Sequence, residues 1–331
     1  MEHVAVIGAG SWGTAVAALA ARQHPVVLWA RRPDLAERIN ASSENSEYLP
    51  GYRLPFGLRA TSSLQEATAG ATVLVMAVPS HGFAEVMANI DGVAVDLPIV
   101  SLTKGIEEGT MRRMTQVIAD ALPRHRGERI GVLTGPNLAA EVVEGDPTAA
   151  VAAMTDPEAA TVIQRTFMGP TFRVYTNPDV IGCELAGSLK NVMAIAAGMS
   201  SGLGFGDNTR ATLLTRALAE LTRLGVALGG QPSTFAGLAG MGDLIATCTS
   251  TKSRNYQVGV ALAKGRKLED IITEMKMVAE GVKTTRAVLE LSEKSGVEMP
   301  IAVQVGQVLY EGRHPRDAVM TLMTREAKAE V

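Results

Sequence analysis

The sequence predicts an α/β fold, with a doubly wound parallel sheet in the N-terminal part and an all-α C-terminal domain. Three observations carry this. The chain opens on an apolar run that leads into glycines spaced G-x-G-x-x-G at Gly8, Gly10 and Gly13. Short apolar runs then alternate with helical patterns as far as about residue 182, the order expected of βαβ crossovers. Beyond that point strand signals fade, and long alanine- and leucine-rich helical patterns are broken by glycine corners. The expected domains are residues 1–182 and 183–331, with an active site in the cleft between them.

Strands are expected at residues 4–7, 26–29, 72–78, 99–102, 130–133 and 149–153, and "TFRVYTNP" reads as one more. Several are continuously apolar, as strands buried on both faces of a parallel sheet must be. Helices are expected between them, for instance over residues 14–23 and 111–121. In the second half, "TRATLLTRALAELTRLG" keeps its apolar residues at helical spacing with arginines opposite. "TTRAVLELSEKSG" ends on a glycine stop.

Composition excludes several function classes. Lysine plus arginine (31) nearly balance aspartate plus glutamate (34), so no global field favours nucleic acid or an anionic membrane. Cys183 and Cys248 are far apart and in no metal-type spacing, which fits a reducing, cytoplasmic setting. The five histidines are scattered, so no metal is expected. Apolar runs such as "VLVMAV" are too short to cross a bilayer, and no membrane anchor is expected. The alanine-rich helical half suits homodimer contacts and equally suits a large core; a homodimer is the expected assembly.

The glycine motif follows a strand and opens a helix, the context of a Rossmann-like dinucleotide site. Gly8 makes the tight turn, Gly10 admits a pyrophosphate, and Gly13 lets helix and strand pack closely. Ser11 and Trp12 fill the variable positions, where their N–H groups face the phosphates. The second strand ends in Arg31 and Arg32, not in the carboxylate usual for NAD selectivity. Guanidinium groups there pair with a 2′-phosphate, which points to NADP(H), with NAD(H) tolerated. The plainer alternative is a solvated basic turn. His81 follows another strand and reads most simply as a loop histidine.

Further motifs have bland readings when taken singly. Lys104 in "LTKGIE" follows a strand and suits either a phosphate or the surface. Gly135, Asn137 and Ala139 in "TGPNLAAEV" form a turn and helix start. Ser253-Arg254-Asn255 sets a cationic fork between two short hydrogen-bonding side chains, suited to a phosphate monoester or to a helix end. Glu280 begins "EGVKT", an ordinary capping position. Lys190 sits in the apolar run "ELAGSLKNVMAIAAG", where a lysine usually snorkels to water.

In order along the chain, "GAGSWGTA", "VPSH", "LTKGIE", "TGPNLAAEV", "ELAGSLKNVMAIAAG", "GLAGMGDLIATCTSTKSRN" and "MVAEGVKTT" resemble the bacterial NAD(P)-dependent glycerol-3-phosphate dehydrogenases. The resemblance implies interconversion of dihydroxyacetone phosphate and sn-glycerol 3-phosphate, for glycerophospholipid synthesis. It also implies that Lys190 is catalytic. Lys104, Gly135, Asn137, Lys190, Asp243, Ser253, Arg254 and Asn255 become substrate positions. Lys104, Ala139, Arg254, Val278 and Glu280 become cofactor positions, beside Gly8, Gly10, Ser11, Trp12, Gly13, Arg31 and Arg32 as read from the glycine motif and the end of the second strand. Two departures stand out: Asn137 replaces a common Ser or Thr, and Tyr256 replaces a basic residue after "SRN".

Reducing a ketone requires hydride on carbon and a proton on oxygen. With no histidine among these substrate positions, lysine is the natural general acid. Burial disfavours its charge and a carboxylate restores it, which is the expected service of Asp243. Two rivals remain: another two-domain dehydrogenase with a helical second domain, such as a 3-hydroxyacid or 6-phosphogluconate enzyme acting on a carboxylate, and a nucleotide sensor without chemistry.

Overall fold

The computed structural model describes residues 2–275, 279–327 and 329. Its chain forms two compact units, residues 1–107 with 112–184, and residues 108–111 with 185–331.

The first unit is built on an eight-stranded sheet: β1 (His3–Ile7), β2 (Val26–Trp29), β3 (Leu58–Thr61), β4 (Ala71–Met76), β5 (Ile99–Ser101), β6 (Ile130–Thr134), β7 (Thr148–Ala153) and β8 (Phe172–Asn177). The spatial order is β3-β2-β1-β4-β5-β6-β7-β8. β1 and β2 are buried at every residue, which explains their unbroken apolar sequence. Helices α1 (Ser11–Ala20), α2 (Pro33–Ser42), α3 (Leu64–Thr68), α4 (Ser80–Ala88), α5 (Met114–Ala121), α6 (Ala139–Glu144) and α7 (Pro157–Phe167) cover the faces. One core cluster gathers Val4, Val6, Leu28 and Phe172, another Ile7, Met76, Phe83 and Ile99, because alternate residues of one strand point to opposite faces.

Three details depart from the sequence reading. β7 runs antiparallel to β6, although β7 and β8 are parallel again. An apolar run has the same composition in either direction, so patterning does not reveal the reversal. β3 is an additional edge strand; its sequence LRAT is short and half polar. The helix expected from residue 111 starts at Met114, because Met111 sits in the left-handed region at φ 59°.

The second unit is helical. Its elements are α8 (Val180–Gly202), whose first residues still belong to the first unit, α9 (Asp207–Ala227), α10 (Pro232–Phe235), α11 (Asp243–Thr249), α12 (Arg254–Ala263), α13 (Leu268–Glu274), α14 (Glu280–Ser295), α15 (Pro300–Tyr310) and α16 (Pro315–Met323). Contrary to the sequence expectation, α8 is long and apolar enough to cross a bilayer by length and composition; 94% of its apolar window is buried within the protein. Gly198 and Gly259 explain how tightly α8 meets α12: a Cβ at either would stand 2.0–2.1 Å from a carbonyl oxygen of the other helix. At the start of α8, the buried Glu184 accepts hydrogen bonds from Thr115 N at 2.9 Å, Thr115 Oγ1 at 2.6 Å and Arg113 Nη1 at 2.8 Å.

Glu220 of α9 is buried and accepts from Ile301 N at the amino end of α15, at 2.9 and 3.1 Å. Burial pushes this carboxyl up to about 7 from an ordinary 4.5. The folded protein therefore keeps a proton that the unfolded chain releases. That contribution is complete below pH 4.5 and is lost as pH rises to about 7. Glu220→Gln is expected to flatten the fall in stability over this window by roughly 1–3 kcal/mol, read by urea denaturation at stepped pH. An unchanged slope would refute the assignment.

Candidate active site

In the first unit the expected residues gather at the carboxyl ends of β1, β2, β5 and β6, the edge where ligands bind in such sheets. Gly8 has φ 122°, and a Cβ on it would stand 2.5 Å from Ala77 O. Gly13 lies inside α1, and its Cβ would stand 2.0 Å from Gly8 O, so the helix rides directly on the turn. Gly10 caps α1, and a Cβ there would meet nothing within 4 Å. It would instead fill the space before the amino end of α1, whose first turn holds no acidic residue. Open space, exposed N–H groups and a partial positive charge fit a pyrophosphate.

Ser11 Oγ donates to Tyr48 O at 2.6 Å. Trp12 packs beside Phe172, with ring centres 6.5 Å apart, and its buried Nε1 has no hydrogen-bond partner among the described residues. Arg31 and Arg32 are exposed after β2; Arg32 is ion-paired with Glu47 and lies 3.7 Å from Asp34. His81 is exposed on the first turn of α4.

Lys104, after β5, donates to Gly135 O after β6 at 3.0 Å. The two motifs are thus joined through paired neighbouring strands. Gly135 has φ 140°, a backbone shape that only glycine adopts readily. Asn137 Nδ2 donates to Ala149 O at 3.1 Å, while its buried Oδ1 has no partner among the described residues and stands as an acceptor. Ala139 is the first residue of α6.

The second unit answers the question posed by a lysine in an apolar helix. Lys190 is only 4% exposed, so it does not snorkel to water. Its Nζ lies 3.0 Å from Asp243 Oδ1 and donates to Thr247 Oγ1 at 2.5 Å. The Thr247 hydroxyl donates in turn to Asp243 Oδ1 at 3.1 Å. Asp243 and Thr247 are four residues apart on α11 and so share one face. A single π-helical turn, Leu238–Gly242, leads into α11; a Cβ on Gly240 would stand 2.1 Å from Phe235 O. An isolated buried ammonium is strongly disfavoured, and the carboxylate and hydroxyl compensate it. Thr247 was absent from the sequence reading; the only signal was its place one turn after Asp243.

Ser253 is the N-cap of α12, its Oγ accepting from Tyr256 N at 3.4 Å. Arg254 and Asn255 form the first turn, where backbone N–H groups point outward. Asn255 also clamps the unit together: its Nδ2 donates to Asn191 Oδ1 at 3.0 Å, and its Oδ1 accepts from Gly281 N at 2.9 Å. Arg254 is half-buried, and burial pulls its guanidinium down from its ordinary value while Glu280 pushes it up. Glu280 begins α14; Val278 lies outside the described residues. Cys248 adjoins the lysine pair, and burial pushes its thiol up to about 12, so it is a packed thiol and no nucleophile.

Comparison with known proteins gives a consistent result. Residues 3–160 match the family model described as NAD-dependent glycerol-3-phosphate dehydrogenase N-terminus. Residues 179–320 match its C-terminus counterpart. The chain is 53% identical over 321 residues to glycerol-3-phosphate dehydrogenase [NAD(P)+] 2 of Sphingopyxis alaskensis, covering 97% of this chain and 96% of the relative. It is 51% identical to the NAD(P)+ enzyme of Geobacter sulfurreducens over 99% of both chains. The crystal structure of glycerol-3-phosphate dehydrogenase from Coxiella burnetii superposes with a TM-score of 0.92 at 39% identity, covering 98% of this chain and 99% of that one.

Proposed function

The chain belongs to the NAD-dependent glycerol-3-phosphate dehydrogenase family, and from that premise we propose how its residues divide the work. The protein is an oxidoreductase of NAD(P) that interconverts dihydroxyacetone phosphate and sn-glycerol 3-phosphate, a step that feeds lipid metabolism. When bound, the nicotinamide supplies or accepts the hydride.

Lys190 is the proton donor to the ketone oxygen and, in reverse, the acceptor from the alcohol. The observation that carries this reading is the buried Lys190–Asp243–Thr247 cluster. Asp243 balances the ammonium, and Thr247 fixes the direction of Nζ. The ammonium also stabilises charge developing on the oxygen. Arg254, with the amino end of α12 at Ser253 and Asn255, holds the phosphate. Gly135 and Asn137 contact the substrate, with Asn137 Oδ1 accepting from a substrate hydroxyl. Lys104 serves phosphate groups of substrate or cofactor.

The cofactor is held by Gly8, Gly10, Ser11, Trp12 and Gly13, with Ala139, Val278 and Glu280 as further contacts. Arg31, with Arg32, favours NADP(H) while NAD(H) is accepted. The working form is a cytoplasmic homodimer without a membrane anchor. The test is NADPH oxidation on dihydroxyacetone phosphate beside a panel of 2- and 3-keto acids, repeated with NADH. Turnover confined to the phosphate ketone is expected; turnover of a keto acid alone, or nucleotide binding without turnover, would overturn the reading.

A further inference from the structure

The basic corner after β2 is not simply basic. Arg32 is hydrogen-bonded by its guanidinium to the Glu47 carboxylate and lies 3.7 Å from Asp34. Arg38 of α2 donates to Glu47 at 3.1 Å and to Asp34 at 2.7 Å. Among the described residues, Arg31 makes no ion pair. Of the three guanidinium groups in this corner, two are therefore already neutralised by two carboxylates.

Glu47 comes from the connection between α2 and β3, and that connection is pinned to the glycine loop. Asn45 is fully buried, and its Nδ2 donates to Ala9 O at 2.9 Å and to Thr14 Oγ1 at 2.8 Å. The Ser11 bond to Tyr48 O adds a second pin. The carboxylate is thus delivered to the end of β2 by a fixed segment. An exposed ion pair contributes little to stability, whereas a fixed charge beside a ligand discriminates between ligands.

We propose that Glu47 is a specificity-determining residue of the cofactor site. It occupies the Arg32 fork and repels a dianion, lowering the preference for adenosine nucleotides carrying a 2′-phosphate and keeping the site open to those without one. The proposal rests on the dinucleotide reading of this unit. Arg31 is left to contact a 2′-phosphate, and both cofactor forms are used.

The test is calorimetric titration of the wild type, Glu47→Gln and Glu47→Ala with 2′,5′-ADP and with ADP, beside circular dichroism to verify folding. Both variants are expected to bind 2′,5′-ADP about 5- to 20-fold more tightly, with ADP within about twofold. In an Arg32→Gln background the same change at Glu47 is expected to yield no gain, as coupling through one guanidinium requires. Higher salt should shrink the gain. An unchanged ratio of the two affinities, or equal tightening of both ligands, would overturn the proposal. A wild type that binds neither nucleotide would overturn the dinucleotide reading itself, and the proposal with it.

Discussion

Lys190→Ala is expected to lower kcat for dihydroxyacetone phosphate by about a thousandfold or more, while NADPH affinity stays within a few-fold. On the proposed assignment, the variant loses both the proton donor and the cation facing the developing alkoxide. It also leaves Asp243, 2% exposed, without its ammonium at 3.0 Å. A fall in kcat could therefore reflect a disturbed α11. Two measurements separate the causes. A small primary amine added to the variant should restore part of kcat if the missing group is a proton donor. Stopped-flow titration with NADPH should show that the nucleotide half is intact. A variant with near-normal kcat would remove Lys190 from the chemistry and revive a nucleotide sensor.

Arg254→Ala is expected to raise the KM for dihydroxyacetone phosphate about a hundredfold, with a smaller fall in kcat, because a charge-assisted grip on a phosphate remote from the reacting carbon is lost. Some kcat should fall as well, since that grip also orients the carbonyl. Arg254 leads the first turn of α12, so the helix N–H groups remain and retain part of the phosphate affinity. Glyceraldehyde or dihydroxyacetone, lacking the phosphate, should react equally slowly with variant and wild type. Equal KM values for the phosphate substrate in both proteins would reject the assignment. Asn255→Ala makes a poor substitute in this test. The Asn255 side chain bridges Asn191 and Gly281, and its loss would loosen α8 against α14 as well as the phosphate site.

The glycine motif was legible because its demands are local. A positive φ at Gly8 and a helix riding on its carbonyl at Gly13 admit only glycine, so the residue type records the backbone. The buried strands were legible because both their faces must be apolar. The resemblance to a family then assigned Lys190, Asp243 and the Ser253–Asn255 turn together. The reversed β7 was not legible, since side-chain burial does not depend on strand direction. Met111 at φ 59° left no mark either, because nothing in its sequence announces a left-handed residue.

The sequence by itself determined the nucleotide-binding sheet and the helical second half. Those follow from periodicity and from steric demands that act within a few residues, whereas the residues of a phosphate-selective ketone reductase came from the resemblance to a family. Tertiary structure alone decided which polar groups meet. Thr247 is an ordinary helical threonine until Lys190, 57 residues away in sequence, is buried against it. Glu47 is an ordinary surface acid until Asn45 pins its segment to the glycine loop and brings it to Arg32. The reason is physical. Hydrogen bonds and ion pairs reach about 3 Å, whereas the chain segments that carry their partners are placed by packing the whole core.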